Sequence, residues 1–177
     1  TPAELRMRKW LEGAGLHLLV LFGAAESRYW LYDGAIFTKT YTLTEASLNT
    51  ILWASLGLIY HYRARLSDYL RSFYETCAAL LLLLALANYA HVLSSLNPLW
   101  SGEAIGSRPL WNLLLPAYGA PVLLALLCLR YYLPKARQLA AIISGFGFFV
   151  FINLEIRHLW QGTLDIGHPF IPGELYT

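Results

Sequence analysis

Long apolar runs, separated by short segments that hold most of the charge, constrain this chain more than any other feature. About 20 mostly apolar residues suffice for a helix to cross the hydrocarbon core of a bilayer. Five stretches approach that length, at approximately 12–30, 46–62, 75–93, 110–133 and 139–159. The third carries the strongest signal, Ala78-Ala79 followed by five leucines and Ala85-Leu86-Ala87. A soluble domain covers itself with polar side chains and carries about a quarter charged residues. Here only 14% of the 177 residues are charged and 57% are hydrophobic. The expectation is an all-α, polytopic transmembrane helical bundle of about five spans. Disorder, a collagen-like chain and a disulfide-rich scaffold are excluded. A net charge of +2, with no basic stripe interleaved with aromatics, gives no footprint for nucleic acid. Cys77 and Cys128 both lie in apolar runs and read as buried thiols.

Basic residues between the spans orient the chain. Arg6, Arg8 and Lys9 precede the first span, and Arg28 and Lys39 follow it. Arg63, Arg65 and Arg71 come after the second, and Arg108 alone after the third. Arg130, Lys135 and Arg137 separate the fourth from the fifth, and Arg157 is last. The alternation follows the positive-inside rule and puts the N-terminus in the cytoplasm and residue 177 outside. Acids gather on the opposite side: Glu26, Asp33, Glu45, Glu103, Glu155, Asp165 and Glu174. Trp30, Trp100, Trp111 and Trp160 then fall at the outer boundary, with Trp10 and the Tyr131-Tyr132 pair at the inner one. Amphipathic rings favour that level, as an anchoring belt or, alternatively, as a sugar-stacking platform.

The start of the chain, basic residues and then an apolar run to Gly23-Ala24-Ala25, also resembles a secretory signal. An internal repeat argues against that reading. Phe22 and Phe151, Glu26 and Glu155, Arg28 and Arg157, and Glu45 and Glu174 share one offset. The copies, approximately 11–50 and 140–177, have four spans between equivalent points and so the same orientation. That is a parallel repeat of a kind found in transporters. The second copy breaks off where its next membrane helix is due, so the sequence reads as a slice of a longer polytopic protein.

Ionisable groups at membrane depth cost about 2.5–3.5 kcal/mol at a helix centre and much less near its ends. Glu26, Arg28, Glu155 and Arg157 lie about one turn from the outer ends of their helices. The i,i+2 spacing keeps each motif from pairing internally. One arrangement pairs Glu26 with Arg157 and Glu155 with Arg28 across a pseudo-two-fold axis; the other has the glutamates facing water and the arginines snorkelling to headgroups. His17, near the middle of the first span, is placed for a proton relay, a metal or an interhelical hydrogen bond to Asn88 or Asn153. His91, His158 and His168 are expected outside, and His61 solvated at the cytoplasmic edge. No metal-ligand spacing unites them, and neither a metal nor a cofactor is expected. Pro116, Gly119 and Pro121 break the fourth span, which kinks or becomes an outer turn followed by a shorter helix. Broken helices mark substrate sites in transporters and also serve packing. Gly13, Gly15, Ser144, Gly145 and Gly147 offer small surfaces for close helix contact. No catalytic fingerprint occurs.

Three segments carry a family resemblance: Trp111-Asn112-Leu113-Leu114-Leu115-Pro116-Ala117-Tyr118-Gly119-Ala120-Pro121, Asn153-Leu154-Glu155-Ile156-Arg157-His158 and Gly173-Glu174-Leu175-Tyr176-Thr177. With Glu26-Ser27-Arg28 they resemble the bacterial predicted membrane proteins grouped as domain of unknown function 2339. The resemblance runs from near Leu11 over most of the chain. It implies a long inner-membrane protein with many helices and no established activity. The partners expected are the lipid bilayer and other membrane chains, or the remainder of a longer chain. A scaffold or subunit of a membrane assembly is the leading expectation. The alternatives are a transporter or channel-like module using the Glu-x-Arg motifs and the broken helix, and a membrane enzyme acting on envelope glycan or lipid.

Overall fold

The computed structural model describes residues 2–37, 40–131, 134–162 and 164, and of these the side chains of 131 and 134–136 are left aside. In chain order the elements are α1 (Pro2–Leu31), α2 (Leu43–Leu66), α3 (Arg71–Ser94), the single turn α4 (Pro98–Ser101), a π-turn (Leu115–Gly119), α5 (Ala120–Tyr131) and α6 (Pro134–Gln161). No strand occurs among the described residues. The four long helices have 30, 24, 24 and 28 residues. At about 1.5 Å per residue each exceeds the roughly 30 Å of a bilayer core.

Connections between α1, α2 and α3 are short, so successive helices reverse direction. Contacts confirm the alternation. Glu12 of α1 meets Arg63 near the end of α2 through two bonds of 3.1 and 3.2 Å. Arg28 near the end of α1 meets Glu45 at the start of α2. One end of the bundle is thus basic, with Arg6, Arg8, Lys9, Arg63, Arg65 and Arg71. The other is acidic, with Glu26, Glu45, Glu103 and Glu155.

Two helices, α3 and the Arg137–Gln161 part of α6, are long and apolar enough to cross a membrane. A soluble core helix of such composition would be mostly buried. Only 33% and 28% of their most apolar windows are buried inside the molecule, which leaves most of each apolar surface uncovered. The apolar runs of the other two long helices are diluted, in α1 by Glu12, His17 and Glu26, and in α2 by Glu45, Asn49, Thr50 and His61.

The α2–α3 pair is the most extensive contact in the molecule, and α5–α6 comes next. Close approach explains the first. A Cβ on Gly57 would lie 2.8 Å from Leu82 Cγ and 3.3 Å from the Ala78 carbonyl oxygen. Tyr60, Ala64, Leu70, Tyr74, Ala78 and Leu81 fill the basic half of the core, with Leu16 from α1. The acidic half centres on Leu43, Tyr89, Val92, Leu114, Tyr118 and Phe151. The face of α1 that packs is narrow; Leu11, Leu18, Leu21, Phe22 and Trp30 are exposed.

The stretch at 110–133 is not one helix. Leu110 has a positive φ of 65°, a wide turn covers Leu115–Gly119, and the α-helix begins at Ala120. Proline explains the widening. Pro116 and Pro121 lack the N–H groups that an α-helix would direct to Asn112 and Ala117, and their rings crowd those carbonyls. Ala120 N–H donates instead to Leu115 O, five residues back, which defines a π-turn. The outer turn followed by a shorter helix, open as an alternative from the sequence, describes this geometry.

Candidate functional site at the acidic end

Polar side chains converge where α1 ends and α2 begins. Thr42 caps α2, its hydroxyl accepting from Glu45 N–H at 3.3 Å. The Glu103 carboxylate sits on the same helix start and accepts from Leu43 N–H with both oxygens, at 2.9 and 3.1 Å. A carboxylate there also complements the positive end of the helix dipole. Glu45, on the first turn, is 2% exposed, and its Oε1 lies 3.3 Å from Arg28 Nε. Its Oε2 accepts from Tyr32 O–H at 3.0 Å. Arg28 spans the gap, donating to Thr40 O at 3.1 Å with its guanidinium 5.6 Å from the Tyr32 ring centre. The end of α1 is thereby tied to the start of α2.

A second layer lies just below. Asn88 of α3 donates to Ala46 O at 2.6 Å and to Thr50 Oγ1 at 2.8 Å, and accepts from Tyr41 O–H at 2.8 Å. Asn49 adds a 3.3 Å bond to the same phenol oxygen. Burial raises the Tyr41 phenol above its usual value of 10.0, against the opposing effect of its bond with Asn49.

The third cluster joins α6 to the π-turn. Glu155, buried in α6, accepts from Leu110 N–H at 3.1 Å through Oε2. Asn112 Oδ1 accepts from Leu114 N–H at 2.8 Å, which fixes the amide orientation and turns its Nδ2 to His158 Nδ1 at 3.3 Å. An amide nitrogen can only donate, so this contact is a hydrogen bond when His158 Nδ1 is the accepting nitrogen of the ring.

The reciprocal Glu-x-Arg pairing is replaced by other partners. Arg28 meets Glu45 rather than Glu155, because the α1–α2 loop returns Glu45 to the end of α1. Glu155 meets the backbone of Leu110, because the π-turn brings it against α6. Arg157 and Glu26 are half-buried on their helices. His17 points outward into a shallow groove beside Arg6, Lys9, Trp10 and Phe73, away from both asparagines proposed as partners. Asn88 is engaged as above, and Asn153 donates back to Phe149 O. His61, expected to be solvated at the cytoplasmic edge, is buried instead; His158 lies at the acidic end, buried against Asn112. His91 is exposed, with its ring 6.0 Å from that of Tyr41. The indoles of Trp10, Trp30, Trp100, Trp111 and Trp160 are all exposed. Asp165, His168, Glu174, Lys39, the motif 173–177 and the side chains of Tyr131, Tyr132 and Lys135 lie outside the described residues.

Neither the capping role of Glu103 nor the hub role of Asn88 is marked in the sequence. The pattern Thr42-x-x-Glu45 was the available signal for the capped start of α2. Between α2, α3, α5 and α6 runs a cavity of about 290 Å³, lined by side chains such as Ala54, Leu82, Leu86, Leu124 and Ile143. Thr50, Tyr89 and Cys128 are its main polar or sulfur-bearing residues. Chemically, each of the three carboxylates has at least one oxygen bonded to this chain's own donors, which suits clamping, whereas Glu155 Oε1 is buried without a hydrogen-bond partner. Among the described residues no three acids, histidines or cysteines come together as a metal site.

Comparison with known proteins adds one match. A family model described as a predicted membrane protein (DUF2339) covers residues 1–175. No curated protein matches, and no solved structure does.

Proposed function

Since the chain belongs to the predicted membrane proteins of domain of unknown function 2339, we propose that it is a scaffold module of a membrane assembly. In this reading it crosses the bilayer five times, with the basic end cytoplasmic and the acidic end outside. In the same reading the membrane is a bacterial inner membrane, an expectation supported by the family match to predicted membrane proteins. The observation that carries the proposal is how the acidic end uses its carboxylates. Glu45, Glu103 and Glu155 each accept from donors of this chain, and each of these bonds joins two segments. The alternative, a transporter using Glu155 and the broken helix, needs a polar path to the basic end. Below the π-turn lie Val122 and Ala125, both buried, and then the apolar cavity. Packing accounts for the prolines and glycines of the turn, and nothing in the clusters favours an enzyme.

Two measurements test this. Single cysteines at Trp10 and Arg65 are expected to react with a membrane-impermeant maleimide only after the cells are opened, and cysteines at Trp30 and Trp111 before. The opposite pattern overturns the orientation. Extraction in native nanodiscs should bring down other membrane chains in constant ratio. A homogeneous, partner-free protein whose vesicles show solute flux abolished by Glu155→Gln would overturn the scaffold reading in favour of transport.

A further inference from the structure

We propose that the exposed face of α1 receives a membrane helix of another repeat unit, as α6 receives the segment Leu110–Tyr131. This deepens the scaffold reading and rests on it. A common offset relates α1 to α6. Both are long helices with Glu-x-Arg one to two turns before the end, and each is followed by a glycine of positive φ, Gly34 at 89° and Gly162 at 66°. The buried face of α6 includes Ala140, Ser144, Gly147, Phe151, Glu155 and His158, with Gly147 against Val122 of α5 and Tyr89 of α3 and Phe151 against Gly119 of the π-turn. At the same offset α1 has Leu11, Gly15, Leu18, Phe22, Glu26 and Tyr29. Their surroundings are opposite. Phe151 is 9% exposed and Phe22 63%; His158 is 3% exposed and Tyr29 56%. Of the six on α1, only Glu26 is even half-buried.

The converse also holds. Leu16 and Val20 pack α1 toward α2 and α3, whereas Gly145 and Phe149, their counterparts on α6, are exposed. The two helices thus pack through different faces, α1 through that of Leu16 and Val20 and α6 through that of Gly147 and Phe151, the latter toward the element before it. On α1 the counterpart of that second face is open.

Template and difference together define the occupant. On α6, Phe151 packs against Gly119 of the π-turn, 3.6 Å from where a Cβ would stand, and Glu155 takes a backbone N–H from the turn. The occupant of α1 accordingly runs antiparallel to it. It enters at the acidic end through a turn that offers a donor to Glu26 and a small residue to Phe22. It is not the α5 of a second copy. At Gly147 a Cβ would come within 2.8 Å of Val122 and 2.6 Å of the Tyr89 hydroxyl, and α1 has the full side chain of Leu18 at that place. The occupant therefore carries glycine or alanine where α5 has Val122, which makes it a unit of different sequence.

Photocrosslinking in native membranes tests this, with benzoylphenylalanine at Phe22 of the full chain and at Leu123, exposed on α5, as control. The expected result is a peptide adduct at Phe22, sequenced to a helix of a DUF2339-type repeat unit with a small residue facing Leu18, and lipid adducts at Leu123. Glu26→Gln should lower the Phe22 adduct several-fold, because a hydrogen bond to a charged acceptor becomes a neutral one. Lipid adducts at Phe22, or a peptide unrelated to the repeat, overturn the inference. If protein adducts form from other surfaces while Phe22 captures lipid, the scaffold reading stands without it. If no surface captures protein, both fail.

Discussion

Glu45 is the side chain on which most depends at the acidic end. It is buried, and its partners come from the far end of α1 rather than from its own helix. Glu45→Gln removes the carboxylate charge that lies 3.3 Å from Arg28 Nε, and breaking such a pair on one side costs more than the net worth of the intact pair. The expected loss is about 2 kcal/mol, discounted because Arg28 retains some contact with water. Equilibrium unfolding in mixed micelles measures it, and Glu75→Gln in the exposed i,i+4 pair with Arg71 should change stability by less than about 0.5 kcal/mol. Tyr41 gives a pH signature. Its folded phenol titrates above the unfolded one, so its contribution is whole below pH about 10 and is lost as pH rises through the folded value. Tyr41→Phe should flatten the alkaline limb of the stability curve, read by tryptophan fluorescence. At this scale the sequence was only partly legible. Depth along each helix was apparent from charge, but azimuth was not. His61 and His158 turned inward and His17 outward without any sign in the pattern, since faces toward lipid and toward neighbouring helices are equally apolar.

Among the elements, the α2–α3 pair is held by close packing as well as by Asn88. Alanine at Gly57 places its methyl against Leu82 and within 3.3 Å of a backbone oxygen that cannot yield without moving α3. Gly57→Ala should cost about 1–3 kcal/mol and Gly57→Leu more, by the usual penalty of overpacking. Gly145 has nothing within 4 Å of its virtual Cβ, so Gly145→Ala should cost nothing in the same unfolding assay. The existence of these helices was legible because apolar runs of bilayer length have few other solutions. The fourth stretch was legible only as a break. Pro116 and Pro121 announced lost hydrogen bonds, but not that the chain would recover them with a five-residue turn. Nor did they announce that Leu110 would take a left-handed conformation to reach Glu155.

For the whole molecule, the division into a basic and an acidic end followed directly from the sequence, since charge cannot be distributed along a helix in lipid. Which helices touch was less visible. The repeat offers a symmetric pairing of its two Glu-x-Arg motifs as one of two arrangements, whereas the connections bring together neighbours in the chain, residues 32–42 between α1 and α2 and residues 67–70 between α2 and α3. Arg28 finds Glu45 across a loop, and Glu155 finds the turn that precedes its own hairpin partner. The linker between α2 and α3, residues 67–70, has a further consequence for biosynthesis. By itself α2 is a poor candidate for lateral release from a translocon, because Glu45, Asn49, Thr50 and His61 would meet lipid unpaired. The strongly apolar α3 emerges next and supplies Asn88 for the carbonyl of Ala46 and the hydroxyl of Thr50. The two should therefore enter the bilayer as one hairpin. A nascent chain ending at Ser67 is expected to leave α2 accessible to protease, and one ending at Asn97 to protect it.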